Sequence, residues 1–143
     1  MVEFFNKKNE QIINPLKIVS LLIHAAKIDE NYTEKEKKLI KNFLTIFLKE
    51  NQKIISEDEI TDLIKKAEKY ENDSNQILEF TKEVKKVDLK LKKLVIKTLW
   101  EIVLSDNKSG IYESNLMRRI CGLLYFPDKL SGEIKSAILE RNK

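Results

Sequence analysis

Only three glycines and two prolines interrupt 143 residues, and this scarcity constrains the fold more than any other feature. Gly and Pro are the residues that most strongly break helices, while Lys, Leu and Glu lose little rotamer freedom inside one. The chain is therefore expected to be all-α, a single compact domain of about seven helices, with 143 residues enough to bury one core. Helix starts are legible as caps. Asn14-Pro15 sets a capping side chain before a proline at the first helical position. Thr33-Glu34-Lys35-Glu36 and Ser56-Glu57-Asp58-Glu59 are capping boxes, and Ser74 and Asp88 are expected to cap two further helices. The spacing predicts helices over 15–29, 34–50, 57–71, 75–87, 89–106, 111–125 and 131–141. Residues 1–13 are polar apart from Phe4 and Phe5, so the domain is expected over 14–143 behind a loosely held N-terminal segment.

The apolar residues recur at helical spacing. Leu91, Leu94, Val95, Leu99, Ile102 and Val103 mark one face of the fifth helix, and Ile18, Leu21, Leu22, Ala25 and Ile28 do the same in the first. Trp100 flanks the fifth helix's stripe and is expected to seal a helix–helix contact. A single cysteine, Cys121, rules out an intramolecular disulfide and reads as a core residue. The one histidine, His24, lies beside an apolar stripe and is expected to be structural. There is no Gly-rich phosphate loop, GxSxG or HExxH, so no enzyme is expected. No apolar run nears the roughly 20 residues that cross a bilayer, and the N-terminus lacks the apolar core of a secretory signal. The expectation is a cytoplasmic protein.

Two stretches read alike 77 residues apart. Asp29 and Glu36 correspond to Asp106 and Glu113, and Leu39, Ile40, Phe43, Ile46 and Phe47 correspond to Leu116, Met117, Ile120, Leu123 and Leu124. Each copy reads as a helix ending in Asp, a short turn, and a helix opening with Glu. All four acids continue the apolar stripes of their helices, where carboxylates need partners. Two explanations stand side by side. In one, the acids are helix caps; this suits Glu36, which closes the box begun at Thr33, but neither Asp, because an acid at a helix C-terminus faces the negative end of the dipole. In the other, each Asp–Glu pair shares a hard divalent cation of the Ca²⁺ or Mg²⁺ type, with Asn31, Thr33 and Glu34 adding oxygens in the first turn and Asn107 and Ser109 in the second. Neither turn has the spacing of an EF-hand loop.

The Asp-x6-Glu turns, together with the run Glu113-Ser-Asn-Leu-Met-Arg-Arg-Ile-Cys-Gly-Leu-Leu-Tyr-Phe-Pro-Asp128, resemble the TerB family of helical domains associated with tellurite resistance and stress response. The likeness runs from about Pro15 to about Ala137. It implies a helical domain of two related halves, divalent metal held through the acidic turns whose outer acids are Asp29, Glu36, Asp106 and Glu113, and a TerC-type integral membrane protein as partner. The family's Asp-Gly-Glu turn start corresponds to Asp29-Glu30-Asn31 and Asp106-Asn107-Lys108. Its third-position acid is thus replaced by Asn31 in one copy and by Lys108, whose ammonium repels a cation, in the other.

The formal charge of +4 is local. Residues 82–97 hold seven lysines and two acids, and without them 20 basic residues face 21 acidic ones. Lys82, Lys85, Lys86, Lys90, Lys93 and Lys97 are accordingly read as a solvated face or as a contact for an anionic membrane surface. With three Arg in the chain and none in this stretch, nucleic acid is not expected as the partner.

Overall fold

The computed structural model describes residues 15–27, 32–50, 56–74, 77–105 and 111–141, leaving aside the side chains of 77, 78, 83 and 111–113. These residues form seven helices and no strand: α1 (Pro15–Ala26), α2 (Glu34–Glu50), α3 (Glu57–Ser74), α4 (Ile77–Val84), α5 (Leu89–Val103), α6 (Ile111–Leu124) and α7 (Asp128–Arg141).

The centre of the fold is α1. Eight of its twelve residues are buried, including the unbroken run Ile18 to Ile23. Its sequence predicted one apolar stripe, but Val19, Ile23 and Ala26 are buried as well. A helix that is apolar on most of its circumference must be wrapped rather than covered on one side, and α2, α3, α4 and α5 all pack on it. Ser20, the polar residue within the run, donates from its hydroxyl to Leu16 O at 2.7 Å and lies 3.3 Å from Ala67 O. Ala67 is fully buried, and its small side chain lets α3 approach that closely.

The caps place most of the helix starts. Thr33 and Glu36 form a reciprocal box: Thr33 N–H and Oγ1–H donate to Glu36 Oε1 at 2.8 and 3.1 Å, and Glu36 N–H donates back to Thr33 Oγ1 at 3.1 Å. The Ser56–Glu59 box closes with all three of its distances at 3.2 Å. Asp88 Oδ1 accepts from Leu91 N–H at 2.9 Å. Ser74 is the last residue of α3, which continues three residues beyond the expected end.

The other departures lie at turns. The fourth helix ends at Val84 instead of 87, and the seventh begins at Asp128 instead of 131. A Schellman closure ends α6: Tyr125 N–H donates to Gly122 O at 3.3 Å and Phe126 N–H to Cys121 O at 2.8 Å. Tyr125 occupies the left-handed position of this motif with φ 56°, where glycine is the usual residue. The chain then reverses at once, and Pro127 O accepts Ser131 N–H at 3.1 Å to open α7. Ser131, expected to begin that helix, is buried within it and accepts Trp100 Nε1–H at 2.9 Å. Trp100 thus seals α5 to α7, as its position predicted.

Candidate functional site

Ala26 and Val103, the last residues of α1 and α5, are 77 positions apart. Along α2 and α6, Ile40 and Met117, Phe43 and Ile120, and Phe47 and Leu124 are all buried, whereas half-buried Leu39 stands opposite buried Leu116 and exposed Ile46 opposite half-buried Leu123. The correspondence also breaks between α1 and α5, where buried Ser20 stands opposite exposed Lys97.

Of the predicted ligands, Asp29, Asn31 and Asp106 lie outside the described residues, as does the side chain of Glu113. Glu36 is buried and its Oε1 is committed to the Thr33 box. Glu34 is nearly fully exposed and pairs with Lys37 at 3.5 Å. These two acids therefore face different surroundings although they are two residues apart, and among the described residues no group of three His, Cys, Asp or Glu side chains gathers to hold a metal. Capping accounts fully for Glu36 Oε1.

Among the described residues, a hydrogen bond joins the elements that flank the two turns. Lys35 Nζ donates to Ser105 O at 3.1 Å. Lys35 lies in the first turn of α2, just after the first acidic segment, and Ser105 immediately precedes the second. The exit of α5 and the entry of α2 thus meet at one end of the bundle, 70 residues apart in sequence.

Next to the first segment, Tyr32 is half-buried with Lys37 Nζ 5.0 Å from its ring centroid. Its hydroxyl is buried and makes no hydrogen bond of ordinary geometry. Burial pushes the phenol well above its usual pKa, and the carboxylates of Glu68, then Glu36 and Glu34, push it in the same direction. Glu68, on α3, was not anticipated from the sequence as part of this neighbourhood.

The sequence reading also missed Glu71. This carboxylate is buried, lies 3.2 Å from His24 Nδ1 through Oε2, and accepts from Lys27 Nζ at 2.7 Å through Oε1. His24 also meets the ring of Phe80 at 5.7 Å. With Lys27, the single histidine fastens the C-terminal end of α1 to α3. The signal was present, because Glu71 continues the stripe of Ile60, Ile64 and Ala67 at i, i+4, i+7 and i+11. That is the same test that singled out the turn acids. Cys121 is buried, and its burial raises the thiol pKa, which suits a core residue and not a nucleophile.

Lys82, Lys85, Lys86, Lys90, Lys93 and Lys97 are all exposed. Lys90 approaches Glu50 at 3.8 Å, and Lys85 Nζ sits 4.8 Å from the ring centroid of Tyr125. Two large apolar residues break the surface here: Leu89 is 49% exposed and Tyr125 71%.

Tyr32 carries a pH prediction. Its folded-state pKa is raised, so the folded protein holds the phenolic proton more tightly than the unfolded chain does. Its contribution to stability is complete below the unfolded value of about 10 and is lost as pH rises above it. Tyr32→Phe is expected to reduce the fall in urea-unfolding free energy between about pH 9 and 11. It should leave neutral-pH stability unchanged or raised by up to about 1 kcal/mol, since it removes a buried hydroxyl without a partner. An unchanged alkaline limb would show that Tyr32 does not control it.

The comparisons with known proteins agree with this geometry. The family model for Tellurite resistance protein TerB matches residues 15–136, from the first residue of α1 into α7 and across both turns. No curated protein and no solved structure matches the chain. An all-helical chain matched over most of its length in this way belongs to the TerB family.

Proposed function

We propose that this TerB domain is a non-enzymatic binding module whose two acid-bearing segments act together at one end of the bundle and take up a hard divalent cation of the Ca²⁺ or Mg²⁺ type. The observation that carries this reading is the Lys35–Ser105 contact, which joins the entry of α2 to the exit of α5. Two carboxylates per segment fall short of the six to eight oxygens that Ca²⁺ takes, so ligands drawn from both segments make a more complete set. Asp29, Asp106 and Glu113 are the leading proposed ligands, with Asn31 and Glu34 contributing further oxygens. Glu36, whose Oε1 is committed to the Thr33 box, is the remaining member of the proposed set. The cation would couple the two segments electrostatically, and the domain would act as an accessory module in the stress response associated with its family.

The experiment is calorimetric titration of the whole chain with Ca²⁺, Mg²⁺ and Mn²⁺. Asp29→Ala and Asp106→Ala are each expected to weaken binding by at least about tenfold, equivalent to ~1.4 kcal/mol. Both substitutions leave the Thr33–Glu36 box intact, so loss of binding cannot be assigned to a lost cap. No heat at millimolar metal, or binding indifferent to both substitutions, would leave a purely structural protein-interaction module whose acids act only as helix caps.

A second surface supports placement beside a membrane, with a TerC-type integral membrane protein as the proposed partner. No described helix is long and apolar enough to cross a bilayer, so contact would be peripheral. Lysines near an anionic leaflet contribute about 1 kcal/mol each, and exposed Leu89 and Tyr125 are residue types that settle at the headgroup boundary. Co-sedimentation with phosphatidylserine-containing vesicles is expected to be salt-sensitive and lost in a Lys85→Glu/Lys86→Glu/Lys90→Glu variant. Equal binding to vesicles of phosphatidylcholine alone, or none at low salt, would end this reading.

A further inference from the structure

A cleft of about 220 Å³ opens between α6 and α7 over the edge of Trp100, at the opposite terminus of α6 from Tyr125. It exists because α7 packs chiefly on α5 and only lightly on α6, held there by the Trp100–Ser131 hydrogen bond and by Arg141 on Glu101 at 2.9 Å. Its lining combines Trp100 and Met117 with Arg118, Asp128, Gly132 and Lys135.

Two of its charged side chains, Arg118 and Asp128, are exposed to solvent. Among the described residues neither Arg118 nor Asp128 has an ion-pair partner, although both line the same cleft. Lys135 is half-buried, and its contact is with the indole face, Nζ lying 4.9 Å from the Trp100 ring centroid. Two cations against one acid leave the cleft with one net positive charge. Gly132 borders the cleft from an exposed position. It sits inside α7, where glycine is less favourable than alanine, yet a Cβ built there would meet nothing within 4 Å. No internal contact requires the glycine, and the space above it is part of the cleft.

We propose that this cleft binds a small molecule with an apolar body and a single carboxylate. The body lies over Gly132 against Met117 and the indole, and Arg118 and Lys135 hold the carboxylate by charge-assisted hydrogen bonds. Asp128 disfavours a dianion such as a phosphate monoester. The volume is below the 300–1,000 Å³ of drug-sized pockets, which limits the ligand to a compact acid. The site is independent of the cation reading, since it shares no residue with the acidic segments.

Trp100 is the single tryptophan of the chain, so its fluorescence reports on the cleft alone. The full-length chain is titrated with phenylacetate, and with phenylacetamide as its neutral counterpart, at matched ionic strength. Phenylacetate is expected to give a saturable change with Kd on the order of 1 mM, and phenylacetamide to bind about tenfold more weakly. Lys135→Met is expected to weaken phenylacetate about tenfold. Gly132→Leu, which fills the cleft from an exposed position, is expected to abolish binding with helical circular dichroism retained. No saturable change, equal binding of acid and amide, or wild-type affinity in either variant would overturn the proposal.

Discussion

The structure depends on the burial of α1. A twelve-residue helix with eight buried positions has no stable surface of its own to show to water, and the apolar area it removes from solvent is worth roughly 25 cal/mol per Å². That burial is available only if other helices surround it, so α2, α3, α4 and α5 are arranged around one axis. Everything at the functional end follows from where this axis stops. The chain leaves α1 after Ala26, crosses the first acidic segment, and enters α2 beside the exit of α5.

The polar residues of α1 fix how the surrounding helices sit. Ser20 permits α3 to approach closely at Ala67, and His24 with Lys27 takes the one buried carboxylate of α3. Removing one partner of such a buried group leaves the other without compensation, so these contacts select one angle and register for α3 against α1. The same register brings Glu68 within electrostatic reach of Tyr32. The acids near Tyr32 therefore come from two elements, α2 and α3, which local sequence patterns do not connect.

The fold was legible because its signals are local. Two capping boxes, Pro15 at a first helical position and Asp88 as a cap each act within one turn, and the helices start where those residues put them. The ends were less legible where tertiary contacts compete with local preference. Ser131 has the chemistry of a cap but is taken by Trp100, and Tyr125 adopts a left-handed backbone that the sequence of α6 does not announce. At the candidate site the balance is similar. Glu36 was legible as a cap, whereas Glu71 and Glu68 were not, because their roles depend on which residues of α1 and the first segment face α3. The Trp100 cleft escaped for the same reason: Arg118, Asp128 and Lys135 are unremarkable on helical wheels and become a set only when α7 leans away from α6.

The central claim is that the two acid-bearing segments operate as one end of the molecule. Paramagnetic broadening by substoichiometric Mn²⁺ tests it most directly, read from amide resonances of the whole chain. The account predicts that signals next to both segments, those of Lys27 and Thr33 and of Ser105 and Ile111, broaden together at the same metal concentration. The exposed acids Glu57, Asp58 and Glu59 at the start of α3 provide the internal control, because they have like charge without a partner segment. Broadening confined to one segment, or as strong at Glu57–Glu59 as at the two segments, would contradict the account.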